Sequence, residues 1–299
     1  MTATRCGVVA FIGRPNVGKS TLMNHLIGQK ISITSRRPQT TRHRIHGILT
    51  RDDYQIVIAD TPGIQEEEQR ALNKAMNQTA YQALAGVDII CFTVDALKWN
   101  QGDEYVLSLL EGLSVPVFLV INKVDTLEDK NALLPHIQML QKKRDFAEVI
   151  PVSALGGQNL DALEKALQQR LPEGPFLYDE DDITDRNLRF LAAEMIREKI
   201  FRQLGDELPH QMTVEVELWE DGPRVTHISA SILVERTGQK KILIGTNGDR
   251  VKKIGTDARK EIEQLIGRKV MLRLWVRVRR GWSDDERALR SLGYVDSQQ

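Results

Sequence analysis

The chain has 299 residues, enough for two domains at roughly 100 to 200 residues each. Its 41% hydrophobic and 27% charged content is that of a globular chain, not a disordered or fibrous one. Forty-one basic and 41 acidic side chains cancel, but not evenly. Between positions 240 and 280 thirteen Lys or Arg face four Asp or Glu, while 173–185 holds six acids and no base. Charge sorted in this way concerns partners and solubility and is no guide to fold.

Leaders, membrane spans and disulfides are not expected. Met1 to Gly7 lacks the basic start and long apolar run of a signal peptide. No stretch approaches the ~20 apolar residues of a spanning helix. Cys6 and Cys91 lie far apart without metal-ligand neighbours and read as reduced thiols of a cytosolic protein.

Apolar runs at Val8–Ile12, Ile56–Ile58, Val87–Val94, Val115–Ile121 and Val149–Val152 read as strands. Loops and helical patterns follow them, including Ser20–Ile27 and Leu160–Leu171. Repeated strand–loop–helix units predict a doubly wound α/β domain over 1–172, with a mostly parallel sheet. Pro172, Gly174 and Pro175 stop its last helix, and 173–186 reads as an acidic linker. Over 187–299 the order changes. Leu188, Leu191, Met195, Ile196, Ile200 and Leu204 form a helical stripe. Strands at Met212–Leu218 and Ile228–Val234 follow, then a short basic helix after Gly248, a longer one from about Thr256 to Ile266, and a strand Met271–Val278. That order describes a small α+β module.

Gly13-Arg14-Pro15-Asn16-Val17-Gly18-Lys19-Ser20 fits the P-loop pattern and sits between a strand and a helix, as the motif requires. Its backbone N–H groups can wrap a β-phosphate at the helix N-terminus, with Thr21 next in line. Lys19 would reach the β- and γ-phosphates, and the Ser20 hydroxyl would ligate Mg²⁺. The loop alone does not separate GTP from ATP. Asn122-Lys123-Val124-Asp125 does, since the Asp125 carboxylate can accept from guanine N1–H and its amine. Adenine would leave it unpaired, at a cost of ~1–3 kcal/mol. Ser153-Ala154 would offer a backbone N–H to the guanine oxygen.

Asp60-Thr61-Pro62-Gly63 ends another strand. Asp60 would hold Mg²⁺ through water, and the Gly63 N–H would meet the γ-phosphate. In Gln39-Thr40-Thr41-Arg42 one threonine would join Mg²⁺ only with the γ-phosphate present, Thr41 before Thr40, making this segment a switch. These motifs resemble the translation-factor-like class of small GTPases, which implies GTP and GDP as ligands, Mg²⁺, and slow intrinsic hydrolysis. Where Ras-like proteins carry a water-orienting glutamine, this chain has Ile64, which cannot align a nucleophile by hydrogen bonding. The expectation is that Lys19, Mg²⁺ and backbone N–H groups hold the transition state, with water placed by backbone or a partner. The role of Gln65, one place on, is open.

Gly245-Thr246-Asn247-Gly248 in a basic stretch resembles the KH domain (type II), whose GxxG loop clamps about four nucleotides of single-stranded nucleic acid. The middle pair is not basic here, so phosphate contacts would fall on Arg250, Lys252 and Lys253. On the last strand Arg273, Trp275, Arg277 and Arg279 share a face, followed by Arg280 and Trp282. That face reads either as a stacking-plus-phosphate surface or as a solvated strand face with a partly buried tryptophan.

A GTPase domain joined to a C-terminal KH domain is similar to the Era family. Ile183-Thr184-Asp185-Arg186, Ile196-Arg197-Glu198-Lys199, Gly238-Gln239-Lys240-Lys241 and Glu286-Arg287-Ala288-Leu289-Arg290 carry the likeness along the whole chain. The resemblance implies a GTPase that binds the 3′ end of small-subunit ribosomal RNA and assists small-subunit maturation. It further implies a place in the cytoplasm and at the inner face of the plasma membrane; nothing in the sequence asks for a dimer, and a monomer is expected. Two other readings compete: a switch acting on protein partners, and a constitutive RNA binder whose nucleotide domain is structural. The basic tail and GxxG disfavour the first; Lys19, Ser20 and Asp60 disfavour the second.

Overall fold

The computed structural model describes residues 4–35, 40–64, 71–96, 98–204 and 212–294. Gln39 and Gln65 lie outside them. The chain forms two compact units. The first comprises Met1–Ser32, Thr41–Glu68 and Asn73–Asp185, and the second Ile33–Thr40, Gln69–Leu72 and Arg186–Gln299.

The first unit is built on strands β1 (Arg5–Ile12), β2 (Ile45–Thr50), β3 (Tyr54–Asp60), β4 (Ile89–Asp95), β5 (Val117–Asn122) and β6 (Glu148–Pro151). They form one sheet in the order β2-β3-β1-β4-β5-β6. All pairs are parallel except β2 with β3. Its helices are α1 (Lys19–Ile27), α2 (Ala71–Gln82), α3 (Gln101–Ser108), α4 (Leu133–Gln141) and α5 (Leu160–Arg170). β3 and β4 are buried along their whole length, which is why they read as continuous apolar runs. Strand order reverses between β1 and β4, and ligands of such sheets bind beyond the strand ends at that switch point. The carboxyl ends of β1, β3 and β5 lead directly into the loop at Gly13, Asp60 and Asn122.

The acidic stretch 173–185 is fastened to this unit. Ile48 N–H donates to Ile183 O at 3.0 Å. The fully buried Gln55 amide accepts from Leu177 N and Tyr178 N and donates to Tyr178 O.

The second unit contains α6 (Leu188–Gln203), β7 (Met212–Asp221), β8 (Val225–Val234), α7 (Thr237–Ile244), α8 (Asp249–Ile266), β9 (Lys269–Val278) and α9 (Glu286–Ser291). β8 is central, antiparallel to β7 and parallel to β9. Ile196 and Ile200 of α6, Leu243 of α7, and Ile254, Ala258 and Ile262 of α8 pack with Ile228, Ala230 and Ile232 on one face. Two expectations change here. The GxxG turn lies between two helices as expected, α7 and α8, but α8 runs unbroken through Gly255, with no separate short helix after Gly248. α6 buries charges as well as its apolar stripe: Arg197 pairs with Glu194, and Glu198 and Glu261 both meet Lys199. Within this unit Arg197 also donates to the Thr40 carbonyl, and Glu198 accepts from Thr34 N–H.

Candidate nucleotide site and GxxG surface

The loop after β1 turns on Gly13 at φ 150°, Asn16 at φ 65° and Gly18 at φ 102°, and delivers its last residues as the first turn of α1. Lys19 is 6% exposed, and its Nζ donates to Gly13 O at 2.9 Å and Arg14 O at 3.1 Å. Burial lowers the Lys19 pKa to about 8, with Asp60 opposing that shift. An ammonium so held is ready to exchange two carbonyls for phosphate oxygens.

Asp60, at the end of β3, is fully buried. Its Oδ2 accepts from Ser20 Oγ at 2.6 Å and Ser32 Oγ at 2.8 Å. Ser20 Oγ lies 2.8 Å from Thr41 Oγ1. Asp60 Oδ1 is buried without a hydrogen-bond partner. Burial pushes this carboxyl's pKa up while the hydroxyls pull it down. Two hydroxyls, of Ser20 and Thr41, and a carboxylate with one orphaned oxygen make up the kind of hard oxygen donor set that Mg²⁺ takes. The residues fit the ion, and Thr41, not Thr40, stands on Ser20. Ser32, which the sequence reading missed, is held by Asn24, whose Oδ1 accepts from Ile31 N and Ser32 N. No motif marks either residue.

The other residues of this strand end divide. Thr61 Oγ1 donates to Phe11 O at 2.8 Å and is fully buried, so its side chain ties β3 to β1. Gly63 packs so close to Pro15 that a Cβ there would fall 2.6 Å from the Pro15 Cα. Ile64 is 1% exposed and sits in the apolar core with Phe92, Val94 and Leu119, and its side chain carries no hydrogen-bonding group.

On the base side Asn122 links three motifs. Its Nδ2 donates to Val17 O at 2.8 Å, and its Oδ1 accepts from Ala154 N at 2.9 Å and Lys123 N at 2.8 Å. The Ala154 N–H expected to face guanine is thus directed at Asn122 in this structure. Asp125 Oδ1 accepts from Ser153 Oγ, which leaves the carboxylate oriented and its other oxygen available to a base edge. Lys123 Nζ is 2.6 Å from Asp95 Oδ2, and Ala154 O meets His25 Nδ1 at 2.9 Å. Asp95 closes a parallel strand, a position that could have marked it; His25 gives no sequence signal.

In the second unit Gly245 takes φ 75°, ψ −177°, and Asn247 and Gly248 have φ 53° and 82°. These residues present the uncapped N-terminus of the 18-residue α8. Thr246 and Asn247 are exposed at the tip, as are Lys252 and Lys253 one turn on. Arg250 folds back, donating to Ile242 O. On β9 Trp275 is 57% exposed beside Arg273, and Arg277 pairs with Glu217 at 2.7 Å. Trp282 is only 1% exposed and stacks on Tyr294, so it takes no part in an outer surface.

Comparison with known proteins agrees with this division. Residues 8–123 match the family of 50S ribosome-binding GTPases, and residues 207–283 match the KH domain family. The GTPase Era of Ectopseudomonas mendocina is 57% identical over 98% of both chains, and that of Azotobacter vinelandii 56% over 98% of both. Among solved structures, an Aquifex aeolicus Era variant bound to GDP·AlF4⁻ superposes with a TM-score of 0.95 at 40% identity. It covers 98% of this chain and 100% of its own. An Era complex with MgGDPNP and nucleotides 1506–1542 of 16S ribosomal RNA matches with the same score, identity and coverage. With a P-loop motif, an Asn-Lys-x-Asp motif and a GxxG module in one chain of matching length, this protein belongs to the Era family of GTPases.

Proposed function

We propose that this GTPase is a switch for assembly of the small ribosomal subunit, using its GxxG module to hold single-stranded RNA at the 3′ end of 16S-type ribosomal RNA. The observation that carries this reading is the joining of a Mg²⁺-type oxygen set at Ser20, Thr41 and Asp60 to an uncapped basic helix end at Gly245–Gly248 in one chain. The description of the GTPase family refers to the 50S particle and covers only the nucleotide domain. The relative solved with 16S RNA matches over nearly the full chain, and this favours the small subunit.

In the nucleotide site, Ser20 and Thr41 would hold Mg²⁺ directly and Asp60 through water; the ion would neutralise charge on the phosphate oxygens. Lys19 moves from Gly13 O and Arg14 O to the phosphates, and the Gly63 N–H faces the γ-phosphate. Asp125, set by Ser153, reads guanine, while the packed hydrocarbon of Ile64 leaves the nucleophile to be oriented by backbone or by the assembling particle. Along the second unit, the Gly245–Gly248 backbone approaches the sugar–phosphate chain, with Lys252 and Lys253 neutralising it. The chain works as a cytoplasmic monomer, and the family likeness adds a peripheral contact with the inner membrane face. No helix among the described residues is long and apolar enough to cross a membrane.

Fluorescence titration of a short 16S 3′-end oligonucleotide, with the protein loaded with GDP or a non-hydrolysable GTP analogue, tests the proposal. Affinity should depend on the nucleotide and fall with salt. Equal, salt-independent binding in both states would remove the switch. Turnover of GTP, ATP and XTP supplies the companion test, with Asp125→Asn expected to shift preference towards the xanthosine nucleotide.

A further inference from the structure

Arg14, the first variable residue of the loop after β1, spends its guanidinium on protein groups. Its Nε donates to both oxygens of Asp103, at 3.1 and 2.9 Å, and its Nη2 donates to Lys98 O at 3.1 Å. The Asp103 side chain is completely buried, and that of Arg14 is 18% exposed. Asp103 also belongs to the first turn of α3. Its Oδ2 accepts from Asn100 N at 3.1 Å, and the Asn100 side chain caps Gly102 N and Asp103 N in return. One carboxylate therefore ties a loop residue to a helix start 89 positions away in sequence. Burial raises the pKa of this carboxyl and the Arg14 guanidinium opposes the shift, so the carboxylate depends on Arg14 as its charge partner.

The loop has two differently held halves. At Val17, beside α1, the backbone is fastened by Asn122 from the base side. At Arg14 and Pro15 it is the part that receives Lys19 Nζ and packs against Gly63. The Arg14–Asp103–Lys98 contacts tie this second half to the start of α3 and the loop before it. We infer that Arg14 and Asp103 form a positioning clamp for the γ-phosphate half of the loop, fixing where Lys19 and the Gly63 N–H stand during hydrolysis. This rests on the GTPase reading of the loop. The clamp acts on turnover and on discrimination between tri- and diphosphate more than on the diphosphate affinity, which the Val17 half supplies.

The test compares Arg14→Ala, Asp103→Asn and the double variant in the full chain, by steady-state GTP hydrolysis, GDP affinity and thermal melting. Arg14→Ala strands a buried carboxylate and should lower the melting temperature; the double variant removes that charge and should recover most of it. Turnover separates clamp from scaffold. kcat should fall about tenfold or more in each single variant, stay low in the re-stabilised double variant without multiplying, and leave the GDP Kd within about threefold. A double variant with wild-type kcat, or a GDP Kd that weakens as much as kcat falls, overturns the clamp. Were the wild type itself inert towards GTP, the clamp and the GTPase reading would fall together; wild-type kcat in the double variant sinks the clamp alone.

Discussion

Lys19 carries a charge that its surroundings oppose. Its ordinary pKa near 10.5 is lowered to about 8 by burial, whereas a triphosphate placed on the ammonium would favour the charged form and raise it again. In the nucleotide-free protein the unfolded chain holds the extra proton between pH 8 and 10.5, so this group makes folding more favourable as pH rises through that window. For the nucleotide the sign reverses. Binding takes up a proton above pH 8, and affinity declines as pH rises from there. Calorimetry at pH 8.5 in buffers of different ionisation enthalpy should detect uptake of about three-quarters of a proton, lost in Lys19→Met. Equal proton uptake by both proteins would mean that the shift belongs to another group. Ile64 makes the opposite case, since its side chain is packed at 1% exposure among Phe92, Val94 and Leu119. Ile64→Ala should cost ~2–5 kcal/mol of stability, read as a lower melting temperature. GTP turnover of the folded protein at low temperature should stay within about threefold of wild type.

At the scale of elements, the GxxG turn shows what a particular backbone shape demands. Gly245 occupies φ 75°, ψ −177°, a region open essentially to glycine alone, and a Cβ there would stand 2.9 Å from the Arg250 Cβ. Gly248 is left-handed at φ 82° but has open space around it. Gly245→Ala should therefore destabilise by ~1–3 kcal/mol and Gly248→Ala by only ~1 kcal/mol. Chemical denaturation of the two variants measures the order, and a larger loss at Gly248 would refute the assignment. Gly255 explains why the sequence suggested two helices where there is one. A Cβ added there would stand 3.3 Å from Leu274 Cδ1 of β9, so the glycine serves close helix–sheet packing inside α8 and does not end it. The buried parallel strands were legible because burial on both faces writes an unbroken apolar run. β2 was not, because Ile45–Thr50 carries His46, Gly47 and Thr50 and finds its place only by pairing with β3. The P-loop, Asp-x-x-Gly and Asn-Lys-x-Asp motifs could be read because each is a short run of fixed local spacing. Asp103, Ser32 and His25 could not, since each acquires its role from a partner distant in sequence.

Charge distribution over the whole molecule decides how it can meet RNA. A protein with net charge zero and pI near 7.0 has no overall attraction for a polyanion. At physiological salt a charge is felt over ~8 Å, so local composition counts and the total does not. The nine-charge surplus between positions 240 and 280 lies in the unit that carries the GxxG turn, while the six acids of 173–185 belong to a stretch bonded to β2 and β3 of the other unit. Binding of a single-stranded 16S 3′-end oligonucleotide should consequently weaken steeply with salt, each neutralised phosphate contributing a slope of about −0.7 in log affinity against log salt. Lys252→Gln with Lys253→Gln should flatten that slope by about 1.4 if both contact phosphate. Lys165→Gln, exposed on α5 in the first unit, removes the same kind of charge and should leave the slope alone. Equal flattening by the two sets of variants would mean that the RNA responds to total charge, and the GxxG helix end would lose its claim to the phosphate chain.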